Sequence, residues 1–407
     1  MLSPKAPVII VGAGPAGIVL ALHLAQHEVN VLLAETFTDE NYLQQVPRTG
    51  SIHPSTLEMF DDLGLYQHLE PRGLIAPTFQ FWDRDQGGHL IAEFDHCVIK
   101  DDTRFPYVLQ CERLKVIEQA MKMLRTCDNV TVRMGTTLES FEQDGDGVDA
   151  TFVNEAGERE KIRGSYIVSG EGGRSVIRKG ADIAFEGYTY PDQVLTVSVV
   201  YDFDKLHGYS YRNYISDPDQ WANLFKWTQP ERWRVHFGTS MDDDPERLLS
   251  DEHCQSQMQH FIPTGKPYEI VHKHLYSSHQ LVAATFNKGR ALLTGDSAHV
   301  NSPIGGVGMN SGVHDSINLG QKLVAVLRGE AGPEVFDRYT RQRRHVAVNH
   351  VKTITERNKK LIHERDPQVR AKNHEMLART ANDPKLARDY ILRTSLLTSL
   401  KETEAIL

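Results

Sequence analysis

An α/β fold with α+β elements is predicted from three observations. Val8–Val11 is an apolar run closed by Gly12-Ala13-Gly14-Pro15-Ala16-Gly17, residues 18–26 read as a helix, and residues 29–35 return to strand composition. Ala291-Leu292-Leu293-Thr294 repeats the pattern of a buried-type strand ending on glycine much later in the chain. Between them, Val194-Leu195-Thr196-Val197-Ser198-Val199-Val200 alternates as a sheet strand does. Together these give a Rossmann-like βαβ domain interleaved with a mostly antiparallel β-sheet domain, followed by C-terminal helices.

The remaining elements follow in order. A second helix starts near Ser55 and stops at Gly64, residues 75–109 are strand-rich, and residues 113–124 return to helix. A hairpin is expected next, from residues 130–133 and then 138–153 folded around Gly145-Asp146-Gly147. Residues 309–327 continue as a helix after a glycine loop, and the last stretch is helical and increasingly polar. No internal repeat or low-complexity linker separates these parts.

Bulk composition narrows the function classes. The 407 residues carry a net charge of -9, with 40% hydrophobic and 24% charged residues, so no polyanion-binding surface is indicated and nucleic acid is not an expected partner. Cys97, Cys111, Cys127 and Cys254 are scattered, without the close pairing of zinc or dithiol sites. The start of the chain leaves no room for a cleavable signal before the first strand, and no apolar stretch reaches the ~18 residues of a membrane span. A cytoplasmic location is the expectation.

Gly12, Gly14 and Gly17 stand where a strand must turn tightly, bring its backbone against a pyrophosphate and let a helix pack closely. The helix N-terminus then offers amide donors and partial positive charge to the phosphates. Glu35 closes the second strand, where a carboxylate can accept both hydroxyls of an adenosine ribose. This pattern does not separate NAD from FAD. The later segment does: Gly295 is a turn and Asp296 a carboxylate at a strand's C-terminal edge, suited to the 3′-hydroxyl of a ribitol chain. Gly305, Gly306 and Gly308 allow a backbone loop to lie against a flat ring, and the helix opening at Met309 turns its first amides toward the flavin N1–C2 carbonyl.

These residues resemble the single-component (group A) FAD-dependent aromatic hydroxylases, the flavoprotein monooxygenases of the 4-hydroxybenzoate hydroxylase group, over residues 8–345. Gly12, Gly14, Gly17 and Glu35 match the family's ADP-binding motif; Gly295, Asp296, His299, Pro303, Gly308 and Asn310 match its second FAD motif. The resemblance assigns Arg48 to an FAD contact and Gln110 to the ribityl chain or pyrophosphate. In the family's third motif Glu171 replaces the usual aspartate, leaving two readings: a cofactor contact, or a carboxylate pairing with Arg174 or Arg178. The implied domain pattern is an FAD-binding domain over 1–74, 110–182 and 281–345, a β-sheet substrate domain over 75–109 and 183–280, and a helical region over 346–407.

The resemblance further implies NADH or NADPH as transient reductant, O2 as co-substrate, and hydroxylation of a phenol or hydroxylated N-heterocycle through a flavin C4a-hydroperoxide. No metal is expected. The substrate wall is expected among Tyr211, Tyr214, Trp221, Phe225, Trp227, Trp233 and Phe237. Tyr214 aligns with the family tyrosine that binds the substrate phenolate, Pro303 adjoins the ring-facing loop, and His236 and Arg234 offer polar groups to the same surface. On that alignment the residues that grip a carboxylate become Phe225 and Trp227, so 4-hydroxybenzoate is expected to be a poor substrate. Two alternatives stay open: an FAD-dependent reductase or halogenase of the same superfamily, the halogenase signature being absent, and an FAD-binding scaffold without turnover. The C-terminal helices would cap the FAD domain or pair two subunits as a homodimer.

Overall fold

The protein is described by a computed structural model covering residues 6–44, 50–85, 88–228 and 232–407. Its first layer is a six-stranded sheet in the order Asn287–Lys288, Ala291–Leu293, Tyr166–Ser169, Val8–Val11, Val31–Ala34, Val130–Arg133. All neighbours in it run parallel except the short edge strand Asn287–Lys288. Such a sheet is buried on both faces, which is why its strands read as continuous apolar runs rather than alternating ones. Pro15–Gln26 packs against Gly308–Leu327 on one side, and Arg113–Leu124 lies beside the same first helix. One apolar core joins these elements.

Val130–Arg133 corrects one expectation. It pairs in parallel with Val31–Ala34 and extends the nucleotide-type sheet, while the hairpin is made by Thr136–Gln143 and Val148–Asn154. Its partial exposure is that of an edge strand, so composition alone did not separate the two roles.

The second layer is an eight-stranded, mostly antiparallel sheet in the order His299–Val300, Glu269–Ala283, Phe185–Val200, Arg232–Ser240, Ala222–Lys226, Arg212–Ser216, Thr78–Asp83, His89–Asp95. Its strands come from distant parts of the chain, and the Arg212–Ser216 and Thr78–Asp83 pair is parallel. Period-two alternation divides its faces. Trp233, Val235 and Phe237 join a core with Asp251–Phe261, whereas Tyr214, Phe79 and Phe81 join a second core with the C-terminal helices. Residues 352–404 are four helices, among them Lys352–His363 and Pro384–Thr394, which close over that second face.

Candidate active site

Three glycine-bearing turns meet at the C-terminal ends of adjacent strands in the parallel sheet, the edge at which α/β folds bind ligands. Gly12 has φ +95°, and a Cβ there would stand 2.6 Å from Gly170 O; a Cβ on Gly17 would stand 2.0 Å from Gly12 O. The first turn is thus pressed onto both its own helix and the Gly170-Glu171 turn. Gly295 closes the third side, 2.7 Å from the Ala16 Cβ by the same measure. Gly14 is the N-cap of Pro15–Gln26 and offers no capping side chain, so the first amides of that helix face outward for an anion.

Glu35 is buried at the end of its strand, its Oε2 accepting from Ala13 N at 2.7 Å and its Oε1 from Phe37 N at 3.0 Å. A carboxylate accepts about four hydrogen bonds, so it retains capacity for ribose hydroxyls. Gln110 is buried; its Oε1 accepts from Ser51 Oγ at 2.7 Å, while Nε2 has no partner among the described residues. Asp296 is exposed just past the strand end, in the turn Gly295–Ser297. A donor without a partner, a free helix N-terminus, and turns that a Cβ would fill are what a bound FAD requires, and the residues fit it. Arg48 lies outside the described residues.

Asn310 and Glu171 are bound to the protein itself. Asn310 accepts from His53 N at 2.9 Å and donates to Ser51 O and Gly306 O at 2.8 and 2.7 Å, tying the Gly306 loop to the strand before His53. Met309 packs on the main core beside it, and Gly308 opens the helix. The Glu171 carboxylate accepts from Ser169 Oγ, Ser175 Oγ and the amides of Val176 and Ile177, at 2.7–3.1 Å. It therefore caps the short helix Val176–Gly180 and makes no ion pair with Arg178, which donates instead to Ser297 O and Gly173 O. Of the two readings open for Glu171, the pair with Arg178 is not the one formed: four local donors hold the carboxylate, and the arginine has its own carbonyls.

His299 belongs to a buried hydrogen-bonded triad with Asp315 and Arg343. Its Nε2 lies 2.7 Å from Asp315 Oδ2, and Arg343 Nε donates to Asp315 Oδ1 at 2.6 Å. Burial opposes the Asp315 charge, but His299 and Arg343 outweigh it and hold the carboxyl at about 2. Asp315 also accepts from Gly295 N at 3.2 Å, so the triad fixes the turn that carries Asp296.

A small cavity of about 20 Å³ lies between the second sheet and the Gly305 loop. Tyr214 lines it, stacked on Phe81 with ring centroids 5.1 Å apart. Arg212, on the same face two residues earlier, donates to the Tyr214 hydroxyl at 3.1 Å and is 4% exposed. It has no carboxylate partner, and its Nε is without a hydrogen bond among the described residues. His53 and His96 complete the polar wall. Burial, then the nearby Arg212, pushes His53 far below its usual range, and burial chiefly holds His96 at about 4. Both are neutral near pH 7, leaving one cation and no carboxylate among the lining residues.

A family model described as an FAD binding domain matches residues 5–353. Para-nitrophenol 4-monooxygenase of Pseudomonas sp. (strain WBC-3) is 31% identical over 387 residues, covering 95% of this chain and 94% of that protein. The chain belongs to the FAD-dependent aromatic hydroxylases. Within this family, the crystal structure of p-nitrophenol 4-monooxygenase PnpA from Pseudomonas putida DLL-E4 matches with a TM-score of 0.89 and 30% identity, covering 95% of this chain and 96% of that one. A 3-(3-hydroxy-phenyl)propionate/3-hydroxycinnamic acid hydroxylase of Mycolicibacterium smegmatis is 28% identical over 380 residues; the match covers 91% of this chain but 65% of that longer protein. This hydroxylase is accordingly an FAD-dependent monooxygenase that acts on an aromatic substrate with O2. Among the described residues no helix is long and apolar enough to cross a membrane.

The hydroxylase builds its cavity from residues that the sequence reading had only partly singled out. Tyr214 is in the wall, but Pro303 is exposed at the start of the loop, its carbonyl accepting from Gly306 N at 3.0 Å. His236 stands behind Phe225, ring centroids 5.5 Å apart, and burial drives it down to about 3. Phe225 meets the Tyr214 ring edge-on, and Trp227 lies under the Arg234 guanidinium at 4.5 Å. Beside Phe225, Arg212 brings a cation to this wall from the tyrosine's own strand. The wall also takes Asn358 and Tyr390 from the C-terminal helices, whose place is therefore over this cavity.

Proposed function

We propose that this hydroxylase oxidises a small para-substituted phenol bound as its anion, with NADH or NADPH as the transient reductant. The observation that carries this reading is Arg212: a buried guanidinium without a carboxylate partner among the described residues, facing an aromatic cavity. An uncompensated buried charge costs several kcal/mol, and an anionic ligand removes that cost. The similarity to p-nitrophenol 4-monooxygenases favours a phenol of this kind.

FAD, when bound, supplies the electron transfer and the activation of O2. Gly12, Gly14 and Gly17 would receive its pyrophosphate, Glu35 its adenosine ribose, and Gln110 Nε2 and Asp296 the ribityl chain. Arg212 would hold the phenolate oxygen, and in donating to the Tyr214 oxygen it leaves the tyrosine proton aimed at the substrate. Phe79, Phe81 and Tyr390 would clamp the ring by stacking and exclude water. His53, neutral and with Nδ1 unpartnered among the described residues, would offer a hydrogen-bond acceptor at the loop end of the cavity. Free cysteines and a nicotinamide reductant favour a cytoplasmic enzyme.

The test is to load the purified chain with FAD and follow NADH and NADPH oxidation together with O2 uptake across para-substituted phenols and their methyl ethers. Phenol-stimulated oxidation giving a hydroxylated product is expected, with the ethers inert. Equal turnover of phenols and ethers, or reduction without oxygen incorporation, sinks the reading.

A further inference from the structure

We propose that His345, His350 and Glu402 form a binding site for a first-row divalent cation such as Zn2+, away from the reacting centre. One nitrogen of each histidine and one carboxylate oxygen lie within 4.8 Å of one another. His350 Nε2 is 2.8 Å and His345 Nε2 3.8 Å from the same Glu402 oxygen. Bonds of about 2.0–2.1 Å in a tetrahedral site place ligand atoms roughly 3.3 Å apart, so shifts of less than about 1 Å close the set around an ion.

The local backbone explains how two histidines five residues apart come to face one carboxylate. In a regular α-helix that spacing puts side chains on different faces. Here Ala347–Val351 forms a π-helical turn, and its i→i+5 repeat brings the His345 and His350 rings to 5.7 Å between centroids. Spacing rules for α-helical metal motifs therefore pass over this pair. Asn349 Nδ2 donates to His345 Nδ1 at 2.9 Å, so an ion held at Nε2 requires the Asn349 amide to turn over and present its oxygen. His345 and Glu402 side chains are 36% and 50% exposed, which gives an ion a path in and leaves room for a water as fourth ligand. Two imidazoles and one carboxylate suit Zn2+ better than Ca2+ or Mg2+.

The ion would join two parts of the chain. Glu402 lies on Leu397–Glu404, and the π-turn runs directly into Lys352–His363, which carries Ile354 and Asn358 to the substrate cavity. Val346, Val351, Ile354 and Leu396 already form an apolar cluster between them. Zn2+ would clamp the last helix onto the element that walls the cavity.

The test is calorimetric titration of the EDTA-treated, FAD-loaded chain with Zn2+, alongside its melting temperature. Expected are one strongly bound ion per chain, a Tm raised by roughly 2–4 °C at saturating Zn2+, and both effects weakened at least tenfold in titre by His345→Ala and by Glu402→Gln. Both side chains are partly exposed, so the variants should fold and retain FAD absorbance. Zn2+ binding that is unchanged in both variants, or no saturable binding and no change in Tm, overturns the site.

Discussion

The FAD-binding edge of the parallel sheet and the substrate cavity differ in what they are made from. The first is built of backbone: three glycine turns at neighbouring strand ends, an uncapped helix N-terminus, and a carboxylate one strand over. The second is built of side chains from segments far apart in the chain, with Arg212, Tyr214 and His96 converging only because a long-range sheet and two C-terminal helices bring them together. A backbone site tolerates almost no added atom. A side-chain site tolerates substitution in its walls but depends on one charge. The largest effects are therefore expected at the first and the most selective ones at the second.

Gly17→Ala should be the most damaging change. Its Cβ would meet Gly12 O at 2.0 Å and Gly12 C at 3.2 Å, a backbone carbonyl that cannot swing aside as a flexible side chain would. Loss of FAD retention by at least about a hundredfold, or ~2.7 kcal/mol, is expected in flavin absorbance titrations. Near-normal FAD affinity in this variant would remove the distinction between the two sites. Asp315→Asn comes next in stability, because it strands Arg343, which is 1% exposed. Breaking a buried pair costs about 3–5 kcal/mol, measurable by denaturant unfolding. Since Asp315 also holds Gly295 N, weaker FAD binding should accompany the loss, and unchanged stability would refute the triad's role.

Arg212→Met sharpens the comparison from the cavity side. It should lower kcat/KM for ionised phenols by about a hundredfold, ~2.7 kcal/mol, while FAD absorbance stays near wild type and Tm does not fall. A loss shared equally by ionised and un-ionised substrates would mean that Arg212 serves packing only.

Acid should destabilise both regions through histidines held neutral. Burial pushes His23, His96 and His363 to about 4, and His236 and His314 to about 3, with His53 also far below its usual value. Below about pH 6.5 the unfolded chain binds protons that the folded chain refuses. Stability therefore falls as pH drops from 6.5 toward 4, by about 1.4 kcal/mol per pH unit for each histidine that stays neutral. His96→Gln should flatten this slope by that amount in urea melts run from pH 7 to 5. An unaltered slope would show that His96 titrates normally.

The same contrast explains what could be read in advance. Gly12, Gly17, Gly295 and the helix over 113–124 were legible because turn geometry and apolar period are local properties of sequence. Arg212 was within reach, since a residue two before Tyr214 on a strand must share its face. Asn358 and Tyr390 were not, because nothing in a polar amphipathic helix says which sheet it covers. Val130–Arg133 was assigned to the wrong neighbour for a related reason: four alternating residues fit an edge strand of either sheet.

Glu171 lies on the boundary between the two kinds of site, and Glu171→Asp is the smallest effect expected. The longer glutamate reaches the amides of Val176 and Ile177 and both serine hydroxyls at once, so its charge is committed to the start of Val176–Gly180. Aspartate at this position is one methylene shorter and cannot hold all four donors. Loss of the cap should cost about 1 kcal/mol, a fall in Tm of roughly 1–2 °C, with FAD affinity and the NADH to NADPH ratio within twofold of wild type. A change in the nicotinamide ratio without a change in Tm would instead place the carboxylate on the cofactor, and would make this turn a side-chain site embedded in a backbone one.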